Sequence, residues 1–159
     1  MRYDLIHQEE IPSLIERVRR GYIGQKVAQG SWDAADAEAA TEEELAALFP
    51  GGALLDGHEV YLLRDDADPA SAEPLGHLWI GVLRQMSGTL YVFDLEIRED
   101  ARGRGIGRAA MVFAEHRARA LGCRNVALHV FGGNTGAIDL YRSLGYQVID
   151  LTMKKELPD

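Results

Sequence analysis

Three glycines at alternate positions, Gly103, Gly105 and Gly107, are interleaved with Arg102, Arg104 and Arg108 in the run Leu95-Glu96-Ile97-Arg98-Glu99-Asp100-Ala101-Arg102-Gly103-Arg104-Gly105-Ile106-Gly107-Arg108. A β-rich stretch precedes the run and a helical pattern follows, so it reads as a strand-to-helix turn. The first turn of a helix presents unpaired N–H groups. Glycines let a ligand approach that backbone without Cβ atoms in the way. The helix dipole adds about 0.3–2 kcal/mol for an anion at that end, and the arginines add formal charge. The chemistry this suits is the binding of a phosphate or pyrophosphate. A tight turn by itself needs one glycine, so three at alternate positions favour a ligand over a bare turn.

A phosphate-binding loop of the P-loop type needs Gly-Lys-Ser/Thr, and the chain has lysines only at Lys26, Lys154 and Lys155. A dinucleotide fold has some support, because Gly105-x-Gly107-x-x-Ala110 satisfies the short glycine pattern. That motif also expects an acid about 20 residues on, at the end of the next strand. Here that strand ends His129-Val130-Phe131-Gly132. A nucleotide-dependent oxidoreductase is therefore the weaker alternative.

Two carboxylates precede the turn. Strict alternation along Thr89–Ile97 (TLYVFDLEI) places Phe93, Leu95 and Ile97 on one face and Asp94 and Glu96 on the other. Paired acids on a central strand suit a general base or the binding of a cationic acceptor better than they suit core filling. Cys123 is the single cysteine, so no internal disulfide and no multi-cysteine zinc site can form, and buried filler is its reading.

The elements that hold these residues follow from periodicity. Ile11, Leu14, Ile15 and Val18 recur at helical spacing, and a loop with Gly21, Gly24, Gly30 and Trp32 follows. Residues 33–48 are rich in alanine and acid and read as a second helix, with Thr41 and Glu44 fitting a capping box. Its acids form a solvated face, or a docking surface for a cation. The period then changes to two. His58–Arg64, Gly76–Arg84 and Thr89–Ile97 read as strands of an antiparallel meander, the last two joined around Ser87-Gly88. Gly105–Leu121 reads as a helix with Ile106, Ala110, Phe113, Ala114 and Leu121 inward and Gly122 past its end. Arg124–Val130 is a strand. Residues 134–144 are a helix capped by Asn134, with Ala137, Leu140, Tyr141 and Leu144 on one face. Tyr146–Lys154 reads as a last strand. The strand–helix–strand unit 89–130 implies a parallel crossover, giving an α/β fold with a mixed sheet.

The chain has 159 residues, 47% apolar and 26% charged, about one ordinary globular domain. No apolar run approaches a membrane span, and Met1–Glu10 lacks the basic-then-apolar pattern of a signal peptide, so the reading is a cytoplasmic protein. The net charge of −8 argues against nonspecific nucleic-acid binding. Residues 98–124 nevertheless carry seven arginines against three acids, a local +4 that leaves −12 elsewhere. Such an island suits a small anion bound locally.

Arg102-x-x-Gly105-x-Gly107 resembles the signature R/Q-x-x-G-x-G/A of the GNAT superfamily of acyl-CoA-dependent N-acetyltransferases. Asn134-x-x-Ala137-x-x-x-Tyr141-x-x-x-Gly145-Tyr146 is similar to that family's second signature. The resemblance covers residues 58–159 firmly and the two preceding helices loosely. It implies a single domain over 1–159, with 1–57 a helical acceptor-side region and 58–159 the sheet and acetyl-CoA-binding core. The fold it implies is a GNAT-like mixed sheet, an antiparallel N-terminal meander and a central parallel splayed strand pair, flanked by helices. It implies that the amides of Gly103, Arg104, Gly105, Ile106, Gly107 and Arg108 hold the pyrophosphate of acetyl-CoA, with Arg102 beside them. Leu95, Glu96 and Ile97 would pair with the pantetheine arm like an added strand, and the amide at or near Ile97 would face the thioester carbonyl. Gly132 and Gly133 would permit the strand pair to splay.

Asn134 would add a contact to the pantetheine or adenosine region. Tyr141 would be the general acid for the leaving thiolate, also touching the coenzyme. Glu96 is the favoured base, with Asp94 and His129 as competitors, His129 standing five residues before Asn134 where some relatives carry a glutamate. No metal is expected. The activity implied is transfer of an acetyl group to a primary amine by direct attack, on a small molecule or protein. A catalytically silent acyl-CoA-binding sensor is the competing class, and the resemblance admits a homodimer. A relative's proline after the strand is replaced here by Glu99-Asp100, which alters the loop and not the amides.

Overall fold

The computed structural model describes residues 1–28, 33–67, 73–82, 86, 88–155 and 157. Five strands form one sheet in the order β1 (Arg2–Leu5), β2 (His58–Arg64), β3 (Gly76–Val82), β4 (Thr89–Ile97) and β5 (Asn125–Leu128). β1 to β4 are mutually antiparallel neighbours, and β4 and β5 run parallel. The α/β mixed sheet expected from the sequence is therefore present, with β1 as a fourth antiparallel strand that the periodicity did not reveal.

Each face of the sheet has its own core. On one face α3 (Ile106–Ala120) packs Ile106, Ala110, Met111 and Ala114 against Leu63, Leu78, Ile80, Leu90 and Val92. On the other, α1 (Ile11–Ala28) and α2 (Ala34–Leu48) bring Ile11, Leu14, Val18 and Leu45 onto Val60 and Trp79. Burial of these side chains, at about 25 cal/mol per Å² of apolar surface, is what holds the layers together. Polar links fix the layers laterally. The Arg117 guanidinium of α3 donates from Nε to Glu59 of β2 at 2.7 Å, and the Tyr3 hydroxyl donates to the Ala109 carbonyl at 3.0 Å.

The departures from the expected elements have physical causes. α1 continues through Gly21 and Gly24, because Tyr22 and Lys26 extend its apolar-facing stripe: Tyr22 packs on the α1–α2 core and Lys26 is buried against Thr41 and Glu44. Gly30 and Trp32 lie outside the described residues. α2 is capped by Asp33, whose carboxylate accepts from the Asp36 amide at 2.9 Å. Thr41 and Glu44 lie inside the helix and form no capping box. Glu42 and Glu44 pair with Arg19 and Lys26 of α1, so part of the acidic face is an inter-helix seam.

Leu121, expected inward, is 42% exposed, because α3 ends at Ala120 and Gly122 turns the chain with φ 74°. β3 ends at Val82; Arg84 and Ser87 lie outside the described residues. α4 (Thr135–Ser143) carries the expected cap, with Asn134 accepting from the Ala137 amide at 3.2 Å. Tyr146–Lys154 forms no strand: every residue from Gln147 to Lys155 is exposed and pairs with no strand of the sheet.

A bulge in β4 changes which side chains share a face. Trp79 pairs with Asp94 and Ile80 with Val92, so Phe93 is the extra residue. Such an insertion breaks strict alternation. Phe93 lies with Trp79 on the α1–α2 side, not with Leu95 and Ile97, which pack on the α3 side. Asp94 and Glu96 are thus on the same face as Phe93.

Candidate active site

The glycine turn has the geometry its sequence predicts. Gly103 and Gly105 have φ of 74° and 78°, the left-handed region that L side chains avoid. A Cβ on either would meet nothing within 4 Å, so the turn faces open space. The first backbone hydrogen bond of α3 is from the Ala109 amide to the Gly105 carbonyl, 3.1 Å. Among the described residues, none of the six amides from Gly103 to Arg108 donates to a backbone acceptor. The third glycine has another purpose: a Cβ on Gly107 would lie 3.3 Å from Leu140, so Gly107 lets α3 and α4 approach. The arginines are engaged within the protein. Arg102 Nε donates to the Ile97 carbonyl at 3.0 Å, Arg104 to Asp65 at 3.0 Å and Arg108 to the Ser143 hydroxyl at 2.6 Å. The free donors of this turn are backbone amides.

Next to the turn the sheet opens. β5 pairs with β4 only from Thr89↔Asn125 to Val92↔Leu128, while β4 runs on to Ile97. Among the described residues, none pairs with 93–97 on the β5 side. The Arg98 amide donates to the Leu75 carbonyl at 2.8 Å, and the Glu96 carbonyl lies against Gly76. Polar backbone groups of a strand alternate in direction along the chain. Those of Glu96 and Arg98 thus face β3, and those of Leu95 and Ile97 face the gap. Arg102 occupies the Ile97 carbonyl, so the Ile97 amide and both Leu95 groups are the backbone groups left on this edge. Beyond β5, Gly132 and Gly133 are exposed, and the chain turns through the Asn134 amide to the Phe131 carbonyl, 2.9 Å.

Asp94 and Glu96 meet a third group. His77 of β3 pairs across the ladder with Glu96, and its ring is completely buried. Its Nε2 stands 2.7 Å from Asp94 Oδ2, and its Nδ1, which has no hydrogen-bond partner, stands 3.9 Å from Glu96 Oε2. One ligand atom from each of the three lies within 4.8 Å of the others, a set that could hold a metal ion. The two carboxylates bracket the ring from opposite nitrogens, so they fit a bridging imidazole better than convergent ligation. The Asp94 side chain is 19% exposed and that of Glu96 46%, so Glu96 is the one open to an incoming molecule.

A glycine turn with six free amides, a parallel strand pair that parts beside it, and carboxylates on the strand between them agree with the comparison to known families. The model of the acetyltransferase (GNAT) family matches residues 17–146. The chain belongs to the GNAT acetyltransferase family. It is 29% identical over 150 residues to an uncharacterized N-acetyltransferase, YycN, of Bacillus subtilis, covering 94% of each chain. A second from the same organism, YdgE, is 28% identical over 153 residues at the same coverage. The crystal structure of YycN superposes with a TM-score of 0.89 at 27% identity, covering 99% of each chain. The protein is thus a GNAT-family N-acetyltransferase, and the family implies use of acetyl-CoA. The antiparallel β1–β4 and the absence of an acid at the end of β5 remove the dinucleotide reading.

The residues present fit acetyl-CoA. A diphosphate needs a row of donors with room before it, which the Gly103–Arg108 amides offer, and an extended arm needs a free strand edge, which Leu95 and Ile97 offer. Tyr141 of this GNAT domain lies half-buried between α4 and the sheet, its ring centroid 6.0 Å from that of Tyr146. Burial, and then the negative charge of Asp94, raise its hydroxyl above the ordinary tyrosine range. His129 lies just past β5, exposed, its ring edge-on to Phe131 at 4.9 Å, apart from the His77–Asp94–Glu96 group.

Two site residues were not anticipated. His77 hides in the apolar run Gly76–Val82, where its only signal is that it alternates with Trp79. Tyr22 of α1 donates from its hydroxyl to the Phe93 carbonyl at the bulge, 3.0 Å. Its pKa is raised by burial and by Asp94. A cavity of about 550 Å³ lies elsewhere, between Tyr3, Val112, Phe113 and His116, and reaches the turn at Gly105 and Arg108.

Proposed function

We propose that this GNAT domain transfers the acetyl group of acetyl-CoA to a primary amine by direct attack, with no acyl-enzyme stage. The observation that carries the reading is the row of unpaired amides from Gly103 to Arg108, opening onto the unpaired edge of Leu95 and Ile97. These amides would bind the diphosphate, aided by the dipole of α3 and by the charge of Arg102, Arg104 and Arg108. The Leu95 groups and the Ile97 amide would hold the arm as an added strand beside β4. Bound acetyl-CoA supplies an acyl carbon activated by its thiol leaving group.

The chain's own residues do the rest. The Ile97 amide stabilises negative charge as it develops on the thioester oxygen. Glu96, the more exposed carboxylate, accepts the proton that an alkylammonium must lose before its nitrogen can attack. His77 Nδ1 lies on the far side of Glu96 and can share that proton, while Asp94 fixes the ring through Nε2. Tyr141 donates its hydroxyl proton to the departing thiolate. Its raised pKa keeps that proton in place at neutral pH. Asn134 caps α4, holds Tyr141's helix against the gap, and contributes a side-chain contact to the arm. His129, just past the end of β5, is the competing base.

Asp94, Glu96 and the surplus acids of α2 favour a cationic acceptor: a small amine, a polyamine or a protein amino group. Acetyl-CoA consumption measured against a panel of such amines tests the proposal. Turnover with at least one amine, abolished by loss of the Glu96–His77–Asp94 group, is the expected result. Tight acetyl-CoA binding with no turnover on any amine would instead make the domain an acyl-CoA sensor.

A further inference from the structure

The phase of β4 changes at Phe93, and a side chain of α1 holds the point of change. Before Phe93 the even-numbered Leu90 and Val92 pack on the α3 side; after it the odd-numbered Leu95 and Ile97 do. An inserted residue shifts the alternation by one. Without it Asp94 and Glu96 would fall on the α3 side, in an apolar core, and Leu95 and Ile97 on the α1–α2 side. The bulge therefore delivers both carboxylates to the face that carries His77 and Trp79.

Residue 93 is gripped at two places. Its ring stacks on Trp79, centroids 5.0 Å and planes 24° apart, and lies 4.5 Å from the His58 ring. Its carbonyl accepts the Tyr22 hydroxyl at 3.0 Å. Tyr22 is half-buried on α1, its ring packed on the α1–α2 core. Burial, and then the negative charge of Asp94, raise its hydroxyl above the ordinary tyrosine range, so it remains a donor at neutral and alkaline pH. The position of this bond along β4 matters. The last β4–β5 pair among the described residues is Val92↔Leu128, so Phe93 begins the segment that runs on to Ile97 beside the gap. A reacting edge paired on one side needs supporting hydrogen bonds to hold its geometry.

We propose that Tyr22 is a positioning residue for acetyl transfer: its hydroxyl holds the Phe93 carbonyl and, through the bulge, sets where Glu96 and the Ile97 amide stand against the thioester. The inference rests on the acetyl-transfer reading above. The Tyr22 hydroxyl acts through β4 and donates to its backbone, not to the substrates. It also ties the helix layer to the strand that carries the chemistry, across 71 residues of sequence.

Tyr22→Phe removes the hydroxyl, keeps the ring and leaves the Phe93–Trp79 stack in place. It should lower kcat by about 10- to 100-fold, the scale that a displacement on the order of 1 Å produces. The amine kcat/KM should fall with kcat, the pattern of an interaction realised in the transition state. The dissociation constant for acetyl-CoA should change far less, because the Gly103–Arg108 turn is untouched. In the ligand-free protein the ¹³C signal of the Phe93 carbonyl and the amide signals of Asp94 to Ile97 should move, while those of Gly103 to Arg108 stay. A hydroxyl that only stabilises the fold would lower the melting temperature alone. Wild-type kcat in the folded variant, or unmoved signals from Leu95 to Ile97, would overturn the proposal. A wild-type chain that turns over no amine would count against acetyl transfer itself, and the signals of Leu95 to Ile97 would then decide the role of Tyr22. Should Tyr22→Phe not fold, 3-fluorotyrosine in place of Tyr22 alters the strength of the same donor, and unchanged kcat with unmoved signals would again overturn the proposal.

Discussion

His77 Nε2 stands 2.7 Å from Asp94 Oδ2 while its other nitrogen, buried and unpartnered, faces Glu96. With Asp94 ionised, Nε2 carries a hydrogen, and Nδ1 of a neutral ring is an acceptor turned toward a carboxylate. The pH–rate profile of Glu96→Gln should lose its acidic limb, and that of His77→Gln should keep it at a lowered kcat. His129→Ala should leave the profile unchanged. Profiles of kcat against pH for the three variants check this. A limb lost in His129→Ala and kept in Glu96→Gln would move the base to His129.

Tyr141→Phe should lower kcat, toward the lower end of the roughly 10²–10⁴-fold that a positioned proton donor contributes. A thiol near pKa 8.5 leaves with modest help, which sets the small end of that range. The dissociation constant for acetyl-CoA should hold. Because burial and Asp94 raise the Tyr141 hydroxyl, the wild-type rate should show no alkaline loss from this group below its ordinary value of about 10. Steady-state rates to pH 9.5, with calorimetric binding of acetyl-CoA, measure both.

The two kinds of glycine in the turn should separate experimentally. Gly105→Ala meets no atom within 4 Å but must hold a left-handed φ of 78°, at a cost of about 1–2 kcal/mol. The substitution should weaken acetyl-CoA binding by distorting the row of amides. Gly107→Ala presses on Leu140 at 3.3 Å and should lower the melting temperature while leaving binding by the folded protein closer to wild type. Thermal melts with and without acetyl-CoA distinguish the two patterns.

The sheet and α3 should be sensitive to acid through Glu59. The Arg117 hydrogen bonds are the largest cause holding its carboxyl below the ordinary range, with Tyr61 adding to them. A carboxyl depressed on folding stabilises the native state above its unfolded pKa of about 4.3, and that stabilisation is lost as pH falls through the folded value. Glu59→Gln should therefore be destabilised at pH 7, and its deficit relative to wild type should shrink below pH 4. Urea midpoints across that range read the difference.

How much of this was legible depended on how local each feature is. The glycine turn is written in consecutive residues, and so are the cap at Asn134 and the stop at Gly122. The bulge at Phe93 was not, because Phe93-Asp94-Leu95-Glu96-Ile97 alternates as a regular strand does and only the ladder with β3 reveals the extra residue. His77 and Tyr22 reach β4 across 17 and 71 residues, a closeness no local pattern encodes. β1 is too short for periodicity to show. Gly76 marks a contact equally hidden: a Cβ there would lie 2.1 Å from the Glu96 carbonyl. The strand pattern of Tyr146–Lys154 is a case where the local signal is present and the chain's own sheet does not take it up.

The central claim is that the amides of Gly103–Arg108 hold a diphosphate while Leu95 and Ile97 hold the attached arm. Amide-resolved NMR titration tests it directly, with acetyl-CoA, with S-acetylpantetheine, which lacks the diphosphate, and with NAD. Acetyl-CoA should shift the amides of 103–108 together with those of Leu95 and Ile97. S-acetylpantetheine should shift Leu95 and Ile97 while leaving 103–108 nearly still, and NAD should leave Leu95 and Ile97 unmoved. Acetyl-CoA shifts confined to the cavity of Tyr3, Phe113 and His116, with 103–108 silent, would contradict the account.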